Sequence, residues 1–429
     1  MPNFPALHVL DEQSHAKTTT DTGSSAHGRL GSVRGSIDVY SRLMSETPAR
    51  GFPVDEYTSR CATAQHKLDA LGLDALFVCT EPEVRYFTGF HTPFWQSPTR
   101  PWFVLVPVSA DPIAVIPGIG APMMSETWIS DIRTWSAPQP EDDGVSILAD
   151  VIRSSGFRRI GVPMGHETHL RMPLADWNAL GAAVPEVEFV DATSVVRSMR
   201  MVKSDRELAK TAHVCSLVSD GFEGLGDLLS IGMTEREAFT AFRIDLLQRG
   251  ADDVPYLVGA SGHSFTDVIK QPSDREIVAG DLLMFDTGTM WDGYSSDFDR
   301  YYAFGHVDDD AARAHHVVWD ATEAGLAMLR PGVTTTDLWK AMADVMIDGG
   351  SLGNDVGRLG HGLGMQLTEW PSNTATDETV IEEGMVLTLE PGMTFAPGRM
   401  MLHEENIVIR ADGAEMLSRR ASRDIPIIG

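Results

Sequence analysis

Acidic residues at the ends of apolar β-type segments constrain the fold of this chain more than any other feature of its sequence. Asp286 directly follows the apolar run 282–285, and Glu390 directly follows the run 385–389. Burying a carboxylate is costly unless a counter-charge or hydrogen bonds compensate it. The C-terminal half must therefore fold so that compensating groups meet these acidic side chains.

A β-hairpin is predicted around the Asp-Gly pair at 292–293, because this pair stands between two β-type runs within 281–305. Asp297 and Asp299 lie on the return strand, and their spacing of two places both side chains on one face. Asp286 is expected to meet at least one of them across the hairpin, within a small register error. Facing carboxylates repel each other, and a bound cation would reverse that repulsion.

Two further segments supply candidates for the same region. Glu404 and Glu405 precede the apolar run 407–409. His361 stands in 357-GRLGHGLGMQ-366, where glycines on both sides let the backbone approach closely and leave the imidazole free to reach a metal. Strand-borne carboxylates with one histidine predict a metal site, and such oxygen-rich ligation suits Mn, Fe, Co or Zn.

Each of these residues also has a simpler interpretation when it is taken alone. Asp292 and Asp299 would be solvated hairpin residues, and Glu405 would be a surface charge. His361 would be a hydrogen-bonded loop residue. The combination of several acids with one histidine favours the metal site over these single interpretations.

The rest of the chain predicts an α/β architecture of two domains behind a short arm, since 429 residues are too many for one core. Residues 51–200 alternate helix-like segments with short apolar runs, which is typical of an α/β layer domain. A second domain over 201–429 opens with a long amphipathic helix at 200–225 and then becomes β-rich. Residues 1–50 have no signal-peptide or clear transit-peptide pattern and are interpreted as a weakly structured arm. No internal repeat at a fixed period is expected.

Composition argues against several classes of protein. Acidic residues outnumber basic ones by 61 to 34, so neither a nucleic-acid groove nor an anionic membrane surface is an expected partner. No apolar run approaches the roughly 18 residues that a membrane-spanning helix needs. The three cysteines are widely spaced, which predicts buried packing residues in a reducing, cytoplasmic compartment.

The chain resembles the pita-bread metallohydrolase family, which includes creatinase, prolidase, aminopeptidase P and methionine aminopeptidase. The resemblance runs from about Phe52 to the C-terminus. The segments 56–78 and 85–90 resemble the creatinase-type N-terminal domain, and 200-RMVKSDREL-208 resembles the opening of the catalytic domain. The resemblance implies a creatinase-like N-terminal α/β domain, a pita-bread α+β catalytic domain and a homodimer.

The C-terminal motifs are the specific part of this resemblance. The Asp of Asp-x-Gly matches Asp286, and the Asp of Gly-Tyr-x-Ser-Asp matches Asp297. His-Gly-x-Gly supplies His361, Glu-Pro-Gly supplies Glu390, and the last glutamate of the pattern is Glu404. The resemblance implies that these five residues hold divalent metal, expected as two ions bridged by Asp297 and Glu404. It also implies that Glu390 helps to take a proton from water.

Two departures separate this chain from the peptidases of the family. Ile269 stands where a histidine lies three residues before a Pro-Ser/Thr-Asp-Arg segment, and Thr368 stands where a second histidine follows the ligand histidine by seven residues. His263 is a candidate replacement for the first histidine, and an exposed loop histidine is the alternative. Thr368 and Glu369 are candidates for contacting the substrate, although Glu369 has the alternative role of supporting the metal ligands.

An aromatic segment in the N-terminal domain offers candidates for substrate binding. In creatinase-like relatives, the loop that corresponds to 91-HTPFWQSPTRPWF-103 reaches the active site of the neighbouring subunit. Trp95 and Arg100 are therefore candidates for binding a carboxylate or a cationic small molecule. The alternative is an aromatic hairpin packed on its own domain.

Three functions follow from these observations. The first is a metal-dependent hydrolase of the Xaa-Pro peptidase type, as in prolidase and aminopeptidase P, which cleaves a carbon–nitrogen bond in a dipeptide or another small substrate. The second is an osmolyte-degrading enzyme similar to ectoine hydrolase or to a dimethylsulfoniopropionate lyase. The third is a non-catalytic pita-bread binding module, and the filled ligand positions argue against it.

Overall fold

Ten α-helices, two short 3-10 helices (Pro93–Gln96 and Gly118–Gly120) and eighteen strands form the regular structure of residues 47–354 and 357–429, which a computed structural model of the chain describes. The helices are α1 Val54–Leu71, α2 Glu81–Thr88, α3 Ala121–Ser125, α4 Val145–Ser155, α5 Leu174–Ala183, α6 Thr193–Met201, α7 Asp205–Leu225, α8 Glu235–Gln248, α9 Asp309–Met328 and α10 Thr335–Asp348. The strands are β1 Ala75–Val78, β2 Phe103–Pro107, β3 Ile113–Pro117, β4 Asp131–Trp135, β5 Arg159–Val162, β6 Glu188–Asp191, β7 Asp253–Val258, β8 Ser261–Gly262, β9 Leu282–Trp291, β10 Tyr294–Phe304, β11 His361–Gly362, β12 Glu369–Ser372, β13 Val386–Leu389, β14 Gly392–Ala396, β15 Arg399–Leu402, β16 Glu405–Arg410, β17 Gly413–Met416 and β18 Ile427–Ile428.

The N-terminal domain contains one mixed sheet with the strand order β4-β3-β2-β1-β5-β6. β1 pairs antiparallel with β2 and parallel with β5. Five of the six strands fall on the apolar runs of the sequence, which confirms the predicted α/β layer. The strand missed by sequence analysis, β4, carries Asp131, Arg133 and Thr134 at the edge of the sheet, where half-exposed positions leave no apolar run to detect.

The predicted hairpin is confirmed, and its register determines which acids face each other. β9 and β10 are joined by a two-residue loop with positive φ at both positions, 45° at Asp292 and 76° at Gly293. Turns of this kind match the twist of the flanking strands. Asp286 on β9 is paired directly with Asp299 on β10, and Asp297 lies two residues closer to the loop on the same face.

The third sheet, in the order β12-β11-β13-β16-β17, positions the other two acids of the predicted site. The β-type segments 384–395 and 401–410 are each interrupted. β13 ends at Leu389 before β14 begins at Gly392, and β15 ends at Leu402 before β16 begins at Glu405. Glu390 and Glu404 therefore lie in the interruptions rather than inside strands. Their side chains need not follow the alternating directions that a pleated strand imposes.

The catalytic half contains an internal structural repeat, whose matching residues do not recur at one fixed period. α8 and α10 each begin after a threonine, Thr234 and Thr334, whose side chain forms a capping box with the third residue of the helix. Two residues before each threonine lies a glycine in the left-handed region, Gly232 with φ 94° and Gly332 with φ 96°. The repeat escaped detection because these short segments share little beyond the glycine and the threonine.

The same repeat extends to the acidic residues. The N–H groups of the two glycines donate to the carbonyl oxygens of Ile277 and Ile381, each at 2.9 Å. Asp286 and Glu390 each follow that isoleucine by nine residues. Each copy of the repeat therefore contains one of these two carboxylates at the equivalent position.

The predicted helix over 200–225 is two helices. α6 ends at Met201, and α7 begins at Asp205 after Ser204, whose hydroxyl accepts from the backbone of Glu207 while the Glu207 carboxylate accepts from the backbone of Ser204. This reciprocal capping box satisfies N–H groups that a new helix start leaves free. The Ser-x-x-Glu spacing in the sequence therefore indicated the break.

The last residues of the predicted arm are fixed to the catalytic half. Arg50 forms a salt bridge with Asp252 at 2.6 Å, and the Lys210 ammonium donates to the carbonyl oxygens of Ala49 and Gly51. Residues 49 and 50 of the predicted arm thus contact the catalytic half. The remainder of that prediction, residues 1–46, lies outside the described residues.

Asp292 is not the solvated hairpin residue of the simpler interpretation. Its carboxylate is buried, accepts from Arg85 Nη2 at 2.9 Å and from the backbone of Gly51 at 2.8 Å, and pairs with Lys210. The loop of the hairpin thus forms buried ionic contacts with residues of the helices α2 and α7.

The three cysteines, Cys61, Cys79 and Cys215, are free and buried, which confirms that they are packing residues. Within the described residues, no helix combines the length and the apolar character that crossing a membrane requires.

Candidate metal centre

A cavity of about 880 Å³ brings the predicted ligands together. Its lining includes Asp286, Asp297, His361, Glu390 and Glu404. Residues separated by more than a hundred positions in the chain therefore face one space, as the electrostatic argument from the sequence requires.

Four acidic residues and His361 form two groups that share Glu404, and Glu390 lines the cavity without belonging to either group. Ligand atoms of Asp297, His361 and Glu404 lie within 4.8 Å of one another, and so do those of Asp286, Asp299 and Glu404. His361 Nε2 is 3.4 Å from Asp297 Oδ2. Two adjacent positions for a cation are therefore available, one with a nitrogen donor and one with oxygen donors alone.

Asp299 is the residue that sequence analysis left out of the predicted ligand set. It is 2% exposed, so the solvated alternative is wrong, and neither carboxylate oxygen has a hydrogen-bond partner among the described residues. The signal that could have found it was its two-residue spacing from Asp297, which places both side chains on one face of β10.

The cluster is electrostatically unfavourable by itself. Burial raises the pKa values of Asp286, Asp299 and Glu404 well above the usual carboxyl range, and repulsion from neighbouring carboxylates raises them further. Burial also raises the pKa of Glu390 to about 7, although the nearby His361 opposes this. A cation among these groups would favour their charged forms.

The residues present fit a divalent metal. Both oxygens of Asp299 and Oε1 of Glu404 are buried without a hydrogen-bond partner in the described part of the chain. Such atoms are uncommon in folded proteins, and carboxylate oxygens with an imidazole are donors that first-row divalent cations accept.

The glycines around His361 allow its backbone to pack closely, as predicted. Gly360 has φ 117°, and a Cβ there would lie 2.2 Å from the carbonyl oxygen of Thr388. The His361 N–H donates to the Thr388 hydroxyl at 3.1 Å, and its Nδ1 lies 2.8 Å from the Gly362 carbonyl oxygen. These contacts orient the ring and leave Nε2 directed towards Asp297.

Glu405, the neighbour of Glu404, has a different environment. It is fully buried and pairs with Arg300 Nη2 and Arg420 Nη1, each at 3.0 Å. The surface-charge alternative is therefore wrong, and Glu404 is the member of the pair that lines the cavity.

Two sequence profiles match the chain. Residues 209–411 match metallopeptidase family M24, and residues 60–202 match the creatinase/prolidase N-terminal domain. The C-terminal domain of the chain is a domain of metallopeptidase family M24. Its two-domain architecture, predicted from the resemblance to pita-bread enzymes, is confirmed by these matches and by the solved structures of relatives.

Several of the relatives have dipeptidase names. The probable dipeptidase PepE of Mycobacterium tuberculosis (strain ATCC 25618 / H37Rv) is 28% identical over 369 residues, which cover 85% of this chain and 95% of PepE. The Xaa-Pro dipeptidase of Lactobacillus delbrueckii subsp. lactis is 28% identical over 341 residues, covering 78% and 89% of the two chains. The solved structure of dipeptidase PepE from Mycobacterium ulcerans superposes with a TM-score of 0.78 at 26% identity, covering 88% of this chain and 99% of that one. Family and relatives support a metal-dependent hydrolase.

The M24 cavity also contains an arginine that sequence analysis missed. Arg358 lines the cavity, and its Nη2 donates to the Thr368 hydroxyl at 3.1 Å. Its positive charge opposes the burial that raises the pKa values of Asp297 and Glu390. The available signal was a basic residue in the glycine-rich loop, three positions before His361.

The positions of the two missing peptidase histidines both face this cavity. Ile269 and Thr368 line it. The structure does not bring His263 there: its side chain is 67% exposed and its Nδ1 lies 3.8 Å from Asp308 Oδ2. His263 therefore matches its alternative interpretation, an exposed loop histidine.

Glu369, proposed from the sequence to contact substrate, lies in a buried ion network. Its carboxylate pairs with Arg200 at 2.5 Å and with Lys203 at 3.3 Å, and Arg200 also pairs with Glu83 at 2.9 Å. Burial raises the pKa of Glu369, but the two cations outweigh this and lower it to about 2. Glu369 is thus a buried, ion-paired residue, and its two predicted roles, contact with the substrate and support of the metal ligands, stay predictions.

Glu369→Gln is expected to reduce the free energy of unfolding by about 3 kcal/mol, because it leaves buried cations with too few partners. The carboxylate's contribution is complete above its ordinary pKa of 4.5 and is lost as the pH falls towards 2, so the variant should lack this acid-dependent loss. Urea unfolding between pH 3 and 7 measures both effects. The exposed Glu383→Gln is the control, and a loss below about 1 kcal/mol for Glu369→Gln would contradict the prediction.

Trp95 and Arg100 do not reach the cavity of their own chain. Trp95 is 8% exposed and packs against Phe90 and Trp102, as the packed-hairpin alternative describes. Arg100 is half-buried with its guanidinium over the ring of Phe94. Contact of this segment with the site of a neighbouring subunit stays a prediction.

Proposed function

We propose that this M24 protein is a metal-dependent hydrolase that cleaves a carbon–nitrogen bond in a small substrate carrying a carboxylate group. The observation that carries the proposal is the buried cluster of carboxylates with His361 around one cavity, where Oε1 of Glu404 has no hydrogen-bond partner among the described residues. The ligands of the proposal are Asp286, Asp297, His361, Glu390 and Glu404.

The two adjacent groups of donors support two ions, which we take to be Mn, Fe, Co or Zn. When bound, such ions would supply Lewis acidity to polarise an amide oxygen and would make water more acidic. Glu390 lines the same cavity and is the residue we assign to accepting the proton from water.

Arg358 and Thr368 are the proposed recognition groups for the substrate. An arginine keeps its charge at all working pH values, so Arg358 cannot transfer protons as a histidine would. Its fixed charge and planar donors instead suit a carboxylate. A cavity of about 880 Å³ is large enough for a substrate of dipeptide size.

The replacement of both peptidase histidines favours a substrate other than an ordinary Xaa-Pro dipeptide. Ile269 is apolar, and Thr368 is bound by Arg358, so neither position supplies a group that titrates near neutral pH. An acylated amino acid or a cyclic amidine osmolyte of the ectoine type is therefore the second candidate substrate. We retain the homodimer as part of the proposal.

A substrate screen on manganese-loaded protein tests this function. The panel contains Xaa-Pro dipeptides, other dipeptides, N-acylated amino acids, ectoine and dimethylsulfoniopropionate. We expect hydrolysis of a carbon–nitrogen bond in at least one carboxylate-bearing member and its loss on adding a chelator. Cleavage of dimethylsulfoniopropionate alone would indicate the lyase alternative, and metal binding without turnover of any member would indicate the binding module.

A further inference from the structure

Asp299 has a carboxylate that forms no salt bridge and accepts no hydrogen bond in the described part of the chain. Among the described residues it is the one acid with both carboxylate oxygens buried and without a hydrogen-bond partner. Its β-sheet partner is Asp286, another acid, rather than a cation. A buried charge in this position is destabilising unless a ligand is bound there.

The neighbouring arginine does not serve as the missing counter-ion. Arg300 donates from Nη1 to the backbone carbonyl oxygens of Asp299 and Glu404 and from Nη2 to the carboxylate of Glu405. Its guanidinium is therefore committed to other acceptors. Neither oxygen of the Asp299 carboxylate has a hydrogen-bond donor among the other described groups.

The spacing of the surrounding oxygens fits a cation. One carboxylate oxygen each from Asp286, Asp299 and Glu404 lies within 4.8 Å of the others. Oxygen ligands of Mg²⁺ or Ca²⁺ lie about 2.0–2.6 Å from the ion, so ligands on one ion are separated by at most about 5 Å.

We propose that Asp299 is a metal ligand and that, with Asp286 and Glu404, it forms a position of carboxylates alone for a hard divalent cation such as Mn²⁺ or Mg²⁺. This inference rests on the proposed metal site and extends it beyond the five ligands that the family resemblance implies. The second position, with His361, keeps a nitrogen donor. Hard cations prefer the position built from oxygens, whereas Zn²⁺ and Co²⁺ accept the imidazole.

The charges of the residues around the cavity are consistent with this assignment. Asp286, Asp297, Asp299, Glu390 and Glu404 carry five negative charges, which two divalent ions would reduce to one. Arg358, which lines the same cavity, supplies the remaining positive charge. Without Arg358, the additional carboxylate would repel an anionic substrate.

Titration of the metal-free full-length protein with Mn²⁺ tests the assignment independently of activity. Isothermal titration calorimetry should show two Mn²⁺ ions on the wild type. For Asp299→Asn we expect one of the two affinities to fall by about 100-fold, since even residues that only support ligands change affinity by about 10- to 100-fold. The metal-free variant should not unfold at lower urea than metal-free wild type, because the Asp299 carboxylate oxygens make no hydrogen bonds that the substitution would remove.

Asp292→Asn is the matched control. Asp292 is also buried, but Arg85 and Lys210 compensate its charge. This variant should lose stability and keep both Mn²⁺ affinities, the opposite of Asp299→Asn. If Asp299→Asn bound Mn²⁺ as the wild type does, or if the metal-free variant were less stable than metal-free wild type, this inference would be overturned and the proposed function would stand. If the wild-type protein bound no Mn²⁺, both the inference and the proposed function would be overturned.

Discussion

His361→Ala is expected to lower kcat/KM on the substrate found by the screen by about 10³-fold or more. The change removes the one imidazole from the group formed with Asp297 and Glu404. A bound metal contributes several kcal/mol to transition-state stabilisation, and each 1.4 kcal/mol corresponds to about tenfold in rate. Steady-state kinetics together with the metal content of the purified variant measure the effect.

The control for this change is His263→Ala. His263 is an exposed histidine outside the cavity, so its removal should leave kcat/KM and metal content close to wild type. If His361→Ala retained wild-type turnover with every substrate, the assignment of this cavity as the active site would be wrong.

Arg358→Met is expected to lower kcat/KM by about 10- to 100-fold for a substrate with a free carboxylate, because a charge-assisted hydrogen bond is worth about 1.5–3 kcal/mol. The effect should fall mainly on KM. A carboxamide analogue of the same substrate distinguishes recognition from a general disturbance. The wild type should prefer the carboxylate by a similar factor, and Arg358→Met should lose that preference.

Arg197→Met is the matched control for the second prediction. Arg197 also lines the cavity, but its guanidinium donates to Thr379 at 2.7 Å and lies 3.5 Å from Asp377. We expect this variant to keep the preference for the carboxylate. Equal discrimination between carboxylate and carboxamide by Arg358→Met and wild type would contradict the role of Arg358.

The parts of the fold that sequence analysis predicted are those with strong local signals. The Asp-Gly pair at 292–293 requires two consecutive left-handed residues and thereby determines a hairpin. Apolar runs determined five strands of the first sheet. β4 was missed because an edge strand with Asp131 and Arg133 does not show the pattern of a buried one.

The candidate site was predictable where the chain itself fixes the spacing. Asp286 and its hairpin partners had to meet because the hairpin aligns them, yet the exact register, which pairs Asp286 with Asp299, depends on the whole of β9 and β10. The motif resemblance favoured Asp297, and the structure adds Asp299 to the same face.

Contacts between distant segments were not predictable from the sequence. The ion network of Glu369 joins it to Arg200 and Lys203, which are more than 160 residues away in the chain. The direction of Arg358 depends on a glycine-rich loop, which has no repeating pattern to read. His263 has suitable chemistry, but the fold directs it outwards to Asp308.

The most direct test of the metal centre is anomalous diffraction from crystals grown with excess Mn²⁺, measured on both sides of the manganese absorption edge. We expect manganese peaks enclosed by the carboxylates of the cavity and His361, with the Asp299 carboxylate in contact with one ion. A cavity without a manganese peak, in which these carboxylates are turned apart towards solvent, would contradict it.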